Sequence, residues 1–322
     1  MIAKKNINKI YYLFLCLHLF LWTLIPSISN VNLPLDTIEA LAWGSNLDWG
    51  FAKHPPMSAF VVEFIYSIFG SSDWAYYLLS QIFIILAFFY VWKLSNEIFK
   101  DKIYALLSLL ILESIIFYNF TTPEFNVNVC QLPFWALTCY YFWNSINDNK
   151  KKSWILFGIF SALGFLSKYL FIYILISLFI FYLVYFKKNK KLHKNYFLSI
   201  IISFIVLIPH FYWLFSNDFV TIFYGLSRSS LTESILINHF VNPATLILKQ
   251  IIILIPFFII VFISLKKFKF NVNLKNKKIF FLFSITIIPI LLIFITSIIT
   301  GAKIRTMWMT PFYLFFGLFF IY

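Results

Sequence analysis

Residues 279–299, IFFLFSITIIPILLIFITSII, are typical of the segments that decide this fold. The stretch carries no charged side chain, and about 20 apolar residues in a helix cross the ~30 Å hydrocarbon core of a bilayer. Similar runs recur near residues 10–27, 73–98, 103–119, 125–145, 154–168, 169–186, 196–215, 244–265 and 307–322. Lipid cannot hydrogen-bond an open backbone, and the alternating strands of a barrel are absent, so the spans must be helices. The sequence therefore predicts an all-α, polytopic membrane helix bundle with about ten spans.

The composition supports a single membrane-embedded domain over residues 1–322. Charged residues make up 12% of the chain, against about 25% in soluble proteins. The net charge of +14 does not indicate nucleic-acid binding, because most of the 26 basic residues lie between the hydrophobic runs. By the positive-inside rule these segments are cytoplasmic, as is the N-terminus. The residues concerned are Lys4, Lys5, Lys9, Lys93, Lys100, Lys102, Lys150, Lys151, Lys152, Lys187, Lys188, Lys190, Lys191, Lys194, Lys266, Lys267, Lys269, Lys275, Lys277 and Lys278.

Acidic residues follow the opposite distribution and indicate chemistry on the outer, periplasmic face of an inner-membrane protein. The predicted outer acids are Asp36, Glu39, Asp48, Glu63, Asp73, Glu124, Asp218 and Glu233. The first span lacks a small-residue cleavage site and is interpreted as a retained helix. The chain stops within the apolar run FYLFFGLFFIY. We therefore expect either a last helix that ends at the membrane surface or a C-terminally truncated product.

The first outer loop, residues 28–72, contains the densest polar cluster, LDTIEALAWGSNLDWGFAKHPPMSAF at 35–60. Pro34 breaks the chain, and an acid near the start of a helix is favoured by the helix dipole. Asp36 and Glu39 are three positions apart, so on a helix both project to one face. The prolines of KHPP predict a second, amphipathic helix lying in the outer interface.

Each polar group in this loop has a functional and a structural interpretation. Asp36 or Glu39 could abstract a proton from an incoming hydroxyl or amine, or could simply cap a helix and face solvent. Lys53 and His54 could contact the phosphate of a membrane-anchored donor as cations, or could be a snorkelling lysine and an interfacial histidine.

Further outer residues could complete the same site. Glu124, in the turn TTPEFNVN, could face the cavity of Asp36 or belong to an ordinary polar turn. Lys168, Arg228, Lys303 and Arg305 are outer cations that oppose the positive-inside trend, which a lipid-linked anionic substrate or plain head-group contact would explain. His210 and His239 lack a metal-binding context and are predicted to pack. No nucleotide-binding motif appears, and the cysteines show no paired spacing.

The motifs WGFAKHPP (49–56), FGSSDWAYYLLS (69–80), TTPEFNVN (121–128), WILFGIFSALGFLSKY (154–169) and Pro-His-x-x-Trp (209–213) resemble the family 39 glycosyltransferases. These are bacterial relatives of dolichyl-phosphate-mannose–protein mannosyltransferase in the GT-C superfamily. The order and spacing are similar over most of the chain.

The resemblance implies transfer of a sugar from a polyprenyl-phosphate carrier to a glycan, lipid or protein acceptor, with inversion at the anomeric carbon. Asp36 matches the first-loop acid and would be the general base, while Glu124 matches an acidic position. Lys53 and Lys168 match phosphate contacts. No cofactor is required; a divalent metal occurs in the superfamily, but no ligand cluster here calls for one. Relatives commonly carry adjacent first-loop acids and are longer.

Two other hypotheses remain open. A transporter or flippase for a lipid-linked substrate would also have many spans and outer charges, but would be expected to have broken mid-membrane helices with buried charges. An inactive transferase fragment would fit the abrupt C-terminus.

Overall fold

The computed structural model describes residues 6–189, 193–228, 234–264 and 273–322, and the α-helices in these ranges follow one another along the chain. Lys4, Lys5, Lys190, Lys191, Glu233, Lys266, Lys267 and Lys269 lie outside the described residues. The helices are α1 (Ile7–Ser29), α2 (Leu35–Gly44), α3 (Met57–Phe69), α4 (Asp73–Phe99), α5 (Lys102–Leu110), α6 (Val127–Asp148), α7 (Lys151–Ser167), α8 (Ile172–Asn189), α9 (Asn195–Ser216), α10 (Val220–Arg228), α11 (Asn242–Ser264), α12 (Lys277–Thr300) and α13 (Phe316–Ile321).

The predicted multi-pass helical membrane architecture is confirmed. Within the described residues, six helical segments are long and apolar enough to cross a bilayer, namely Ile7–Ser29, Asp73–Phe99, Tyr169–Lys187, Asn195–Ser216, Ile237–Ser264 and Lys277–Thr300. Each of them contains most of one predicted span. The predicted spans at 125–145 and 154–168 correspond to α6 and α7. The total of about ten spans stays a prediction.

The predicted spans at 103–119 and 307–322 are not continuous α-helices, and this part of the prediction was wrong. In the first, α5 is followed by the 3₁₀ turns Ile111–Ser114 and Ile116–Tyr118. In the second, the 3₁₀ helix Thr306–Tyr313, which contains Pro311, precedes the short α13. The two broken segments support each other, because the Tyr118 hydroxyl donates to the Thr310 carbonyl over 2.8 Å.

Close packing between these two segments explains why hydropathy did not predict that their helices are broken. A Cβ atom on Gly317 would lie 1.8 Å from the Ser108 carbonyl oxygen, so α13 approaches the backbone of α5 at a distance only glycine allows. Glu113 lies in the first break, and its Oε1 is 2.6 Å from Nδ1 of the buried His18 on α1. This pair joins the broken segment to the first helix. A carboxylate inside a membrane span is costly and usually has such a partner.

Residues 28–72, the predicted first outer loop, contain the two predicted helices. Pro34 stands at the N-cap of α2, and α3 begins at Met57, directly after the paired prolines. A Cβ atom on Gly44 would lie 3.1 Å from the Ala59 carbonyl oxygen, so α2 and α3 pack closely. This packing holds the polar face of α2 beside the loop that carries Lys53 and His54.

Candidate active site

Helix α2 is attached to the turn before α6 at the position of Asp36. The buried Thr37 hydroxyl donates to the Phe125 carbonyl over 3.1 Å, and the Asp36 backbone N–H donates to Glu124 Oε1 over 3.3 Å. The Asn126 side chain donates to the other Glu124 oxygen over 3.3 Å. The structure therefore brings Asp36 and Glu124 together, from segments far apart in the chain.

Lys53, in the loop after α2, forms an ion pair with Glu39, which lies on the same face of α2 as Asp36. Its Nζ also lies 5.9 Å from the ring centroid of Tyr224 on α10, and the Arg228 guanidinium lies 5.7 Å from the same centroid. Lys53 and Arg228 thus share one aromatic neighbour, which offers each a cation–π contact.

Helix α10 reaches this position through a tight reversal after α9. Asp218 and Phe219 have positive φ angles of 49° and 53°, and the Phe219 N–H donates to the Leu214 carbonyl over 3.0 Å. These are left-handed conformations that non-glycine residues adopt at a cost. The turn folds α10 back, so that Tyr224 and Arg228 line the cavity described below.

Lys168 lies in the break between α7 and the Tyr169–Lys187 span, with an extended backbone at φ −165°. Its side chain is buried, and Nζ donates to the Asn128 side-chain oxygen. Nζ also lies 5.0 Å from the Trp308 ring centroid. Because a buried cation needs such partners, Lys168 is held at a defined position.

These side chains surround a cavity of about 400 Å³, a size that is typical of ligand sites. The carboxylates of Asp36 and Glu39 share it with four cations, of which Arg228 and Arg305 are exposed. Aliphatic and aromatic side chains form the remaining wall. The polar and aromatic lining residues are Asp36, Glu39, Lys53, His54, Asn128, Lys168, Tyr169, Tyr173, Thr221, Tyr224, Arg228, Arg305 and Trp308.

The two carboxyl groups at the Asp36–Glu124 contact have raised pKa values. Burial is the main cause for Asp36, the Glu39 charge adds to it, and the nearby Lys168, Lys53 and Arg228 oppose it. Burial also raises the pKa of Glu124, with a further contribution from the Asp36 charge. A carboxylate with a raised pKa is a stronger base than an ordinary one.

Burial changes the predicted role of His54. Burial together with Lys168, Lys53 and Arg228 lowers the pKa of His54 to about 3. The imidazole is therefore neutral at pH 7, and the expectation of a cationic phosphate contact at this position does not fit its surroundings. A neutral imidazole can still donate one hydrogen bond to a phosphate oxygen.

Burial also lowers the pKa of Lys168 to about 7, although the Asp36 charge opposes this effect. The amine of Lys168 is therefore partly deprotonated near neutral pH in the absence of a bound phosphate. A bound phosphate would favour the charged form.

The other predicted site residues divide by position. Arg228 and Arg305 line the cavity, whereas Lys303 is exposed and does not line it. Asn128, Tyr224 and Trp308 line the cavity but were not predicted. Asn128 offered a signal, since it follows Glu124 in the TTPEFNVN motif. Tyr224 and Trp308 offered little, because the chain is 22% aromatic.

The described residues contain no group of three or more His, Cys, Asp or Glu side chains that could hold a metal ion. The carboxylates in the cavity face lysine and arginine side chains instead. Such a donor set suits an anion with an adjacent proton acceptor.

The dolichyl-phosphate-mannose-protein mannosyltransferase family model matches residues 53–213, half of the chain. The matched region includes Lys53, His54, Glu124 and Lys168, whereas Asp36 precedes it. No curated protein sequence gives a significant match.

Two solved structures are similar to this fold. The crystal structure of ArnT from Cupriavidus metallidurans bound to undecaprenyl phosphate superposes with a TM-score of 0.70 at 13% sequence identity, covering 98% of this chain and 60% of that one. The apo structure of the same protein gives a TM-score of 0.69 at 12% identity, with coverage of 98% and 59%. The GT-C fold is thus present, and the chain spans about 60% of the length of these structures.

Proposed function

Because the chain belongs to the dolichyl-phosphate-mannose-protein mannosyltransferase family, we propose that it transfers a sugar from a polyprenyl-phosphate carrier to an acceptor. The observation that carries this proposal is the cavity in which Asp36 lies among Lys53, Lys168, Arg228 and Arg305. A lipid-linked sugar phosphate needs cations around its phosphate and one base for the acceptor.

The proposed reaction is a single displacement. The acceptor oxygen or nitrogen attacks the anomeric carbon from the face opposite the carrier, and the bond between that carbon and the phosphate oxygen breaks. The polyprenyl phosphate leaves with the electron pair, and the acceptor proton passes to Asp36. The configuration at the anomeric carbon is inverted. Glu124 supports the base by accepting the Asp36 backbone N–H.

The cations of the cavity would stabilise the charge that develops on the leaving phosphate. Lys168 is the strongest candidate because it is buried and held by Asn128. Lys53 is bound to Glu39, which fixes its position and reduces its free charge. Arg228 and Arg305 are exposed cations of the same cavity, His54 contributes a neutral donor, and Lys303 stays a sequence prediction. We propose that these groups suffice without a divalent metal.

We further propose that the cavity opens on the outer face of the inner membrane. The positive-inside rule supports this side, because the described lysines outside the cavity are concentrated in the opposite connections. The acceptor class is a glycan, lipid or protein that presents a hydroxyl or amine.

Binding of undecaprenyl phosphate to the detergent-purified protein tests the proposal. We expect saturable binding that Lys168→Met weakens about tenfold or more, since a charge-assisted contact contributes about 1.5–3 kcal/mol. Lys102→Met, at an exposed lysine far from the cavity in sequence and predicted to be cytoplasmic, is the matched control and should bind normally. Equal binding by both variants and the parent would contradict the proposed phosphate site.

A flippase for lipid-linked sugars is the second candidate, favoured by the broken segment after α5 and its His18–Glu113 pair. Reconstituted vesicles distinguish the two. A flippase would move a labelled polyprenyl-phosphate sugar across the membrane without consuming it, whereas the proposed transferase cleaves the bond between the sugar and the phosphate.

A further inference from the structure

We propose that His210 is a positioning residue that holds the loop bearing Lys53 and His54 against the wall of the cavity. The inference rests on the proposed function for its consequence, but its geometry is independent of it. His210 was predicted from the sequence to be a packing residue. It is fully buried, and it is not among the residues that line the cavity.

His210 joins two segments that meet the cavity from different sides. Its Nδ1 contacts the Trp49 carbonyl oxygen of the loop, and its Nε2 lies 2.9 Å from the Tyr169 hydroxyl. Tyr169 lines the cavity directly after Lys168. One imidazole therefore bridges the loop that supplies Lys53 and the wall that supplies Lys168.

The partners determine which ring nitrogen carries the proton. A carbonyl oxygen can only accept a hydrogen bond, so Nδ1 must be the donor to Trp49. In the neutral imidazole Nε2 is then an acceptor, and the Tyr169 hydroxyl donates to it. Both ring nitrogens are satisfied in this single arrangement, which orients the Tyr169 side chain as well as the loop.

Helix α9 holds the loop through a second residue on the same face. His210 and Trp213 are three positions apart, and their rings stack with centroids 6.2 Å apart and planes 10° apart. Trp213 Nε1 donates to Asp48 Oδ2 over 2.7 Å. A Cβ atom on Gly50 would lie 2.3 Å from the Trp213 ring, so the loop backbone rests directly on the indole.

The loop then turns towards the cavity. The Thr221 hydroxyl of α10 donates to the Phe51 carbonyl over 2.6 Å, and the Phe51 N–H donates to the His54 carbonyl over 3.0 Å. Lys53 lies within this turn and reaches Glu39. A displacement of the loop at Trp49 would therefore move Lys53 away from the Glu39 pair.

A double-mutant cycle tests whether His210 acts through Lys53, with undecaprenyl phosphate binding as the readout. We expect His210→Ala to weaken binding about tenfold, because the released loop would no longer hold Lys53 in place for the charge-assisted contact with the phosphate. In the Lys53→Ala background the same change should cost less than about twofold, because residues that act as a unit are not additive. Equal losses in the two backgrounds would overturn the proposal.

Conservative variants separate positioning from packing. The amide nitrogen of His210→Asn can take the place of Nδ1 and donate to the Trp49 carbonyl, so it should restore binding to within about threefold. His210→Leu fills similar space without a donor and should behave like His210→Ala. If leucine restores binding and asparagine does not, His210 is a packing residue and the proposal is wrong.

Trypsin cleavage after Lys53 gives a readout that does not depend on the proposed function. Loss of the Trp49 contact should speed cleavage at this site in His210→Ala and His210→Leu, while His210→Asn should match the parent. If the parent does not bind undecaprenyl phosphate, the proposed function fails, yet cleavage still tests the loop. Cleavage unchanged in all three variants would contradict the positioning role.

Discussion

The backbone N–H of Asp36 donates a hydrogen bond to Oε1 of Glu124 over 3.3 Å, across a separation of 88 residues. This contact places the start of α2 against the turn before α6 and brings two carboxyl groups with raised pKa values together. Because Asp36 lines the cavity and Glu124 supports its backbone, their different positions assign them different roles. Asp36 is the proposed base, and Glu124 is the proposed positioning residue.

Glu39→Gln should move the acidic limb of the pH–rate profile of kcat/KM to lower pH. A base acts when deprotonated, so activity is lost as the pH falls through the pKa of Asp36. The Glu39 charge raises the pKa of Asp36, and the Lys53 charge lowers it. Glutamine at position 39 removes the first charge and releases Lys53 from its ion pair. Both changes lower the pKa of Asp36. Glu63→Gln, which alters an acid that does not line the cavity, should leave the limb in place. A limb that moves to higher pH in Glu39→Gln would refute the assignment.

Lys168→Arg should remove a basic limb near pH 7 from the profile of kcat/KM. The pKa of Lys168 is lowered to about 7 by burial. In the proposed reaction only the protonated form binds the phosphate, so kcat/KM should fall as the pH rises through this value. Arginine remains charged throughout this range. Donor binding raises the pKa of the lysine, so the corresponding limb in kcat should lie at higher pH than in kcat/KM.

The same basic limb should survive in Lys53→Arg, since Lys53 is paired with Glu39 and its pKa is raised. If Lys168→Arg is active and keeps a limb near pH 7, another group titrates there and Lys168 is not the phosphate cation.

Sequence patterns predicted the long helices because hydropathy alone requires them, and the two short helices of the first outer loop because Pro34 and the Pro55–Pro56 pair set their starts. They did not predict the breaks after α5 and before α13. Those depend on a helix approach at Gly317 and on the Tyr118–Thr310 hydrogen bond, both of which join distant segments.

For the candidate site too, the sequence predicted individual residues but not the contacts between them. Asp36 and Glu39 stood out because charge is rare in this chain, and helical spacing placed them on one face. The Glu39–Lys53 pair and the low pKa of His54 follow from packing between segments. The sequence singled out His210 within the Pro-His-x-x-Trp motif and as a packing residue, but not its two partners, because Trp49 and Tyr169 meet it only through packing between distant segments.

Treatment with a chelator should leave the transfer rate unchanged. Lysine and arginine side chains line the cavity, and in the proposed reaction they would neutralise the leaving phosphate as a metal ion would. Activity of the purified protein should be measured before and after exhaustive dialysis against EDTA. A loss of activity that added Mg²⁺ or Mn²⁺ restores would show that the proposed metal-independent reaction is wrong.

A cysteine at position 46 should react with a membrane-impermeant maleimide added to intact spheroplasts, and a cysteine at position 151 should not. Asn46 lies just after α2, and Lys151 begins α7. Both are exposed, so only the side of the membrane on which they lie separates them. The native Cys16, Cys130 and Cys139 are replaced first. Labelling at position 151 with protection at position 46 would reverse the proposed orientation.

The central claim is tested most directly by mass spectrometry of the cell envelope and its polyprenyl-phosphate sugars, comparing the parent with Asp36→Asn. The account predicts a sugar adduct on an envelope molecule with the parent, and a transfer rate lower by about 10²–10⁴ in the variant, as expected for loss of a general base. Asp73→Asn, an exposed acid outside the cavity, should match the parent. The same adduct at the same rate in Asp36→Asn, at equal expression, would contradict the account.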